Sequence, residues 1–122
     1  MHDHESDWVI LFGTPGVGKT SVAKLIHNFG YHYYEADDDL LPEVIELNRN
    51  NKGLTPELRD RQHHAIFDRV SDLTKKHTKF VMSYDFMWDR YRLQLYKMIP
   101  ALRWVYLTTD SETLKQRVDR PG

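Results

Sequence analysis

Short apolar runs alternate with longer stretches of mixed polarity along this chain. Trp8-Val9-Ile10-Leu11-Phe12 is unbroken apolar sequence, which suits a strand covered on both faces. Ser21-Val22-Ala23-Lys24-Leu25-Ile26 follows a glycine-rich turn, and a helix is expected over 19–29 with Gly30 as its stop. The aromatic run 31–35 reads as a second strand, with Asp37-Asp38-Asp39 beyond its C-terminal end. Residues 40–47 suit a short helix with Pro42 in its first turn, and 48–53 a polar loop. Thr55 as N-cap and Pro56 as first helical residue open a helix over 56–76, with Ile66, Val70 and Leu73 at apolar spacing. A third strand is expected at 79–83, a helix at 88–98 ending before Pro100, and a fourth strand at 103–107. Asp110 or Ser111 would cap a last helix reaching about Val118.

Strand and helix alternate throughout, so the expected fold class is α/β, layered around a mainly parallel sheet. Right-handed crossovers then bring the loops after the first three strands to one edge. That edge collects the glycine loop, the Asp cluster and Ser83-Tyr84-Asp85.

The glycine loop is the most specific chemistry in the chain. Gly13-Thr14-Pro15-Gly16-Val17-Gly18-Lys19-Thr20 fits G-x-x-x-x-G-K-[ST] between a strand and a helix. Glycines let backbone N–H groups turn inward around phosphate oxygens, and the helix start adds its positive dipole end. Residues Gly13, Thr14, Pro15, Gly16, Val17, Gly18, Lys19, Thr20 and Ser21 form the expected nucleotide cradle. Lys19 would reach the outer phosphates, and Thr20 would ligate Mg²⁺.

Composition narrows the setting. The 122 residues suit one domain over 8–122, with 1–7 expected as a flexible N-terminus. A net charge of −1 gives no global field for nucleic acid. With no cysteine there is neither a disulfide nor a thiolate zinc site. No apolar run approaches the ~18 residues of a membrane helix, and the polar start is no signal peptide, so a cytoplasmic location is expected.

The remaining candidates divide between chemistry and solvation. Three adjacent aspartates repel one another, and one could accept a proton or hydrogen bond from a substrate hydroxyl; a solvated acidic helix start is the plainer account. Arg59 and Arg61 could clamp an anionic or polyhydroxy substrate, or pair with Glu57 and Asp60. His63 and His64 point about 100° apart and cannot form an i, i+4 metal site; at least one should pack or face solvent. Asp85 could hold Mg²⁺ through water. Arg90, Arg92 and Arg117 suit solvated helix surface.

Together these residues resemble the small-molecule kinases of the gluconokinase and shikimate kinase group, the gluconokinases more closely. The features are the phosphate loop, the acidic patch after the second strand with Pro42 following, and Leu54-Thr55-Pro56-Glu57-Leu58-Arg59. The stretch Val105-Tyr106-Leu107 with Leu114, Arg117, Arg120 and Gly122 extends the match, which covers most of the chain from Trp8 onward. The resemblance implies a three-layer P-loop NTPase fold of the nucleoside-monophosphate-kinase kind, with ATP and Mg²⁺ as cofactors. Counting without gaps from Lys19, Asp38 matches the family's acceptor-contacting Asp, Arg59 a substrate-binding Arg, and Arg120 a lid-region cation. Lys19, Asp38 and Arg120 are therefore the expected catalytic residues, and Asp38 and Arg59 the substrate ligands. Ala36 stands where the family has its first Asp, so Asp37 joins Thr20 as the metal candidate. The lysines that gluconokinases carry after the third strand are absent here, which leaves the acceptor open. The chain stops at Gly122, where the family continues into a lid and a last strand, so it reads as truncated at the lid.

The expected function is ATP-dependent phosphoryl transfer to a hydroxyl of a small metabolite. The expected partners are nucleotide and that substrate, with no nucleic acid or membrane and with homodimer formation allowed. Alternatives are a non-catalytic nucleotide-binding regulatory module, or a nucleoside or nucleotide kinase.

Overall fold

In the computed structural model, residues 6–14 and 16–108 are described. Four parallel strands form the sheet: β1 (Asp7–Phe12), β2 (His32–Glu35), β3 (Lys79–Ser83) and β4 (Arg103–Tyr106), in spatial order β2-β3-β1-β4. Helices α1 (Lys19–His27), α2 (Pro42–Arg49), α3 (Pro56–Lys76) and α4 (Asp89–Met98) lie between them. This is the α/β fold class expected from the alternation.

The central strands explain the layering. On β1, Val9 and Leu11 face one side with Val81 of β3 and pack on Ala23 of α1, flanked by Val22 and Ile26. Ile10, Phe80, Met82 and Tyr34 face the other side and meet Ile66, Phe67, Val70 and Leu73 of α3 and Tyr91 and Leu95 of α4. Neither face of β1 or β3 is left to water, which is why those strands are continuous apolar runs.

Element boundaries follow local chemistry. Helix α1 ends at His27, two residues short of the expected last helical residue, Phe29. There Phe29 N–H donates to Ile26 O (2.9 Å) and Gly30 N–H to His27 O (3.0 Å), tightening the last turn before Gly30 at φ +93°. Helix α2 starts at Pro42 because Leu41, held by the proline ring, is extended at ψ 147°. It runs on to Arg49, where the expected loop had already begun. Helix α3 spans 56–76 as read, and the Thr55 hydroxyl accepts from Leu58 N–H at 3.1 Å. The Asp triplet, weighed above as an acidic helix start, lies in a single 3₁₀ turn, Ala36–Asp39, directly after β2. The expected helix after Asp110 lies outside the described residues. No helix among the described residues is long and apolar enough to cross a membrane.

Candidate functional site

The loop after β1 is shaped by glycine. Gly13, Gly16 and Gly18 have φ of 146°, 86° and 101°, values that side-chain-bearing residues rarely adopt. A Cβ at Gly13 would meet Leu107 O at 2.4 Å. Helix α1 then begins from Gly18 with no side-chain cap and no acidic residue in its first turn. Uncapped N–H groups and the positive end of the helix dipole are the arrangement that favours a bound anion.

Lys19 folds back over this loop. Its ammonium donates to Gly13 O (2.8 Å) and Thr14 O (3.1 Å) and pairs with Asp85 Oδ1 (2.9 Å). Val17 is buried and anchors the loop, while Thr20 and Ser21 are exposed.

A cleft of about 300 Å³ opens over the loop, lined by Gly16, Gly18, Lys19, Thr20, Ser21 and, opposite, Glu35, Asp37, Ser83, Tyr84 and Asp85. The expected convergence of the loops after β1, β2 and β3 therefore holds. Glu35 is the hub of the far wall. It accepts hydrogen bonds from Ser83 Oγ (2.8 Å), the Tyr33 hydroxyl (2.9 Å) and, more loosely, Thr20 Oγ1 (3.4 Å). Its other oxygen accepts from Asp37 N–H (3.4 Å) and so caps the 3₁₀ turn.

Sequence reasoning passed over Glu35. The signal for it was positional: it is the last residue of an aromatic strand, on the same face as Tyr33, at the edge where the glycine loop sits. Asp37 is exposed, yet partial desolvation and the facing charges of Glu35 and Asp85 hold its carboxyl above the ordinary range. Tyr84, pushed up to about 12 by burial and then by Asp37 and Asp85, stays a neutral phenol.

The other candidates lie apart. Asp38 is exposed and does not line this cleft. Asp39 turns away to bind the Tyr34 hydroxyl (2.6 Å) and Arg69 Nε (3.1 Å). Burial raises its pKa, but these two donors outweigh that and hold it low. Arg59 lies on the Trp88 ring, 4.3 Å from its centroid, and donates to Leu54 O (3.4 Å). Arg61 pairs with Glu43 at 2.9 Å, and Arg90 with Asp60 at 3.0 Å. His63 is buried, stacked on Tyr91 with centroids 3.6 Å apart; His64 is exposed. Pro15, Arg117 and Arg120 lie outside the described residues.

A second, more apolar cleft of about 510 Å³ adjoins the loop, walled by Phe12, Phe86, Met87 and Tyr106. Gly13 and Thr14 form its floor, and Asp85 and Arg92 are its charged groups. Arg92 is tied to Asp89 and to Phe86 O. Asp85 lines both clefts. Among the described residues, no three His, Cys, Asp or Glu side chains converge to hold a metal ion by themselves.

Comparison with known proteins agrees with this geometry. The chain is similar over 96% of its length to a sugar kinase from Janibacter sp. HTCC2649, with a TM-score of 0.82 and 24% identity. It is similar over 91% to a gluconokinase from Sinorhizobium meliloti 1021 (TM-score 0.76, 27% identity) and over 94% to a shikimate kinase from Acinetobacter baumannii (0.55, 19%). The chain spans 69%, 62% and 63% of those three chains. No curated protein sequence matches it significantly. The fold is thus the P-loop kinase fold that the motifs implied. Residues 9–122 match the AAA domain family, with the glycine loop and its lysine near the start of the match, and the chain belongs to that family.

Proposed function

We propose that this protein transfers a phosphoryl group from ATP to a hydroxyl of a small metabolite. One observation carries the reading. A glycine loop, an uncapped helix start and the Lys19 ammonium share a cleft with the carboxylates of Glu35, Asp37 and Asp85. A cradle for polyphosphate thus faces acidic groups suited to a cation and to an acceptor hydroxyl. The likeness to a gluconokinase and to sugar and shikimate kinases supports the same class of reaction.

The residues present fit both cofactors. Close contact between Gly13 and Leu107 O leaves backbone, not side chain, at the loop. The N–H groups of Gly16, Gly18, Lys19, Thr20 and Ser21 and the Lys19 ammonium would hold the phosphates of ATP. The Thr20 hydroxyl would hold Mg²⁺, with Glu35, its present hydrogen-bond partner, as the nearby carboxylate. ATP supplies the phosphoryl group when bound, and Mg²⁺ neutralises its charge. Asp37, with its raised pKa, is better placed than Asp38 to accept the hydroxyl proton of the acceptor, because Asp37 lines the cleft. The acceptor role expected for Asp38 therefore moves to Asp37, and the metal role expected for Asp37 moves to Glu35. As a substrate ligand, Arg59 would have to leave the Trp88 ring.

Calorimetry on Lys19→Ala tests the reading. Loss of a charge-assisted contact to phosphate should weaken ATP binding by about thirtyfold or more. Unchanged affinity would remove the cradle assignment. Labelled ATP offered with polyols, sugar acids and nucleosides then identifies the acceptor. Product from nucleosides alone would select a nucleoside kinase, and tight ATP binding with no product would select the non-catalytic module.

A further inference from the structure

All three hydrogens of the Lys19 ammonium have partners: two loop carbonyls and the Asp85 carboxylate. The lysine side chain is only 10% exposed, whereas that of Asp85 is 43% exposed. The same residue grips the loop a second time, because Asp85 O accepts from Gly13 N–H at 3.3 Å. The segment carrying Asp85 is itself held. Tyr84 N–H continues the β1 ladder to Leu11 O at 3.2 Å. Phe86, fully buried, turns the chain at φ +47°, and its carbonyl accepts from Arg92. The carboxylate is thus presented to Lys19 from a fixed support.

We propose that Asp85 is a positioning residue that acts through Lys19. It serves as an internal anion, keeping the ammonium folded on the loop until polyphosphate displaces it. Two electrostatic effects act in the same direction. Lys19 must give up a carboxylate before it serves a phosphate, and the freed carboxylate then repels the phosphate beside it. Asp85 therefore weakens polyphosphate binding in the absence of Mg²⁺. Once released, it is the acidic side chain common to both clefts, turned toward whatever occupies the second. This inference rests on the nucleotide reading of the loop, and its test separates the two.

Inorganic tripolyphosphate is titrated by calorimetry into the wild type and Asp85→Asn, in EDTA and again with Mg²⁺. Circular dichroism checks the fold, and Asp85→Ser stands in if the Asn variant does not fold. Removing the competing charge should tighten binding in EDTA by about fivefold, the scale of a partly exposed ion pair. A residue that merely supported the loop would weaken binding when replaced. Equal or weaker binding by the variant in EDTA overturns the proposal. So does a loss confined to the Mg²⁺ titration, which would make Asp85 a metal-side group instead. If neither protein binds tripolyphosphate under either condition, the nucleotide reading itself fails.

Discussion

Gly13 has no room for a side chain. Its φ of 146° and the 2.4 Å approach of Leu107 O to an added Cβ oppose substitution together. Gly13→Ala should destabilise the fold by about 2 kcal/mol or more, read from the urea midpoint. An unchanged midpoint would mean that the segment after β4 yields easily. The glycines of this loop were readable because only glycine tolerates such backbone angles, so their spacing is itself the motif. The acids were harder. The end of the second strand at Glu35 was read, but counting from Lys19 pointed to Asp37 and Asp38 and gave Glu35 no role. Side chains alternate along β2, so Glu35 shares the Tyr33 face, and the 3₁₀ turn then carries Asp37 to the cleft and Asp39 away. No rule of local sequence reports a four-residue turn of that kind. Glu35→Gln tests the revised roles. It should weaken ATP binding about tenfold in Mg²⁺ while leaving the EDTA value unchanged, on the estimate for a lost charged contact. An equal loss in both titrations would make Glu35 a support for the loop rather than a metal-side group.

At the scale of elements, the long helix α3 was read to the residue because both of its ends are chemically marked. Thr55 caps it, Pro56 starts it, and His77 leaves it in an extended conformation. Thr55→Ala should cost about 1 kcal/mol, seen as a lower melting temperature with the far-UV spectrum retained. What the apolar stripe hid was Gln62. It is polar, and a helical wheel assigns it no task, yet it is 1% exposed. Its amide bridges two elements, donating to Asp39 O (3.1 Å) and accepting from Leu41 N–H (2.7 Å). These bonds tie the acidic turn after β2 to α3, so Gln62 holds the approach to the cleft without lining it. Gln62→Ala leaves both backbone groups to find other partners and should cost about 2 kcal/mol. Amide exchange at Leu41 should rise with it; protection as in the wild type would show that water replaces the glutamine. Long-range bridges of this kind lie 21 to 23 residues apart in sequence, beyond any periodic pattern.

The whole molecule places two perturbed histidines at opposite ends of the parallel sheet. His63 lies near the loops at the C-terminal strand ends, flat on Tyr91 and edge-on to Tyr84. His32 lies at the opposite end, where β2 begins, stacked on His77 with centroids 4.1 Å apart. Burial lowers the pKa of each. Arg59 and His64 lower that of His63 further, against the backbone bond at Arg59 and the charge of Asp60; His77 and His27 add to the lowering at His32. The unfolded chain, with histidines near 6.5, then binds more protons than the folded one as pH falls through that value. Stability should be full above about pH 7 and decline toward pH 5, by at most about 1.4 kcal/mol per pH unit for buried His63 and by less for His32, which is exposed and screened by water. Asp39 cannot produce that decline. Its pKa is lowered, so the stability it contributes is present above the ordinary carboxylate range near 4 and is lost only at more acid pH. Urea midpoints between pH 8 and 5 separate the two groups. His63→Phe keeps a ring against Tyr91 and should flatten the slope, and adding His32→Asn should flatten it further. The wild-type slope persisting in the double variant would assign the acid sensitivity to other groups. Because His63 packs against Tyr84, which lines the cleft, its protonation would disturb the acceptor side before the sheet gives way. Weakening of acceptor binding should therefore begin at a higher pH than global unfolding.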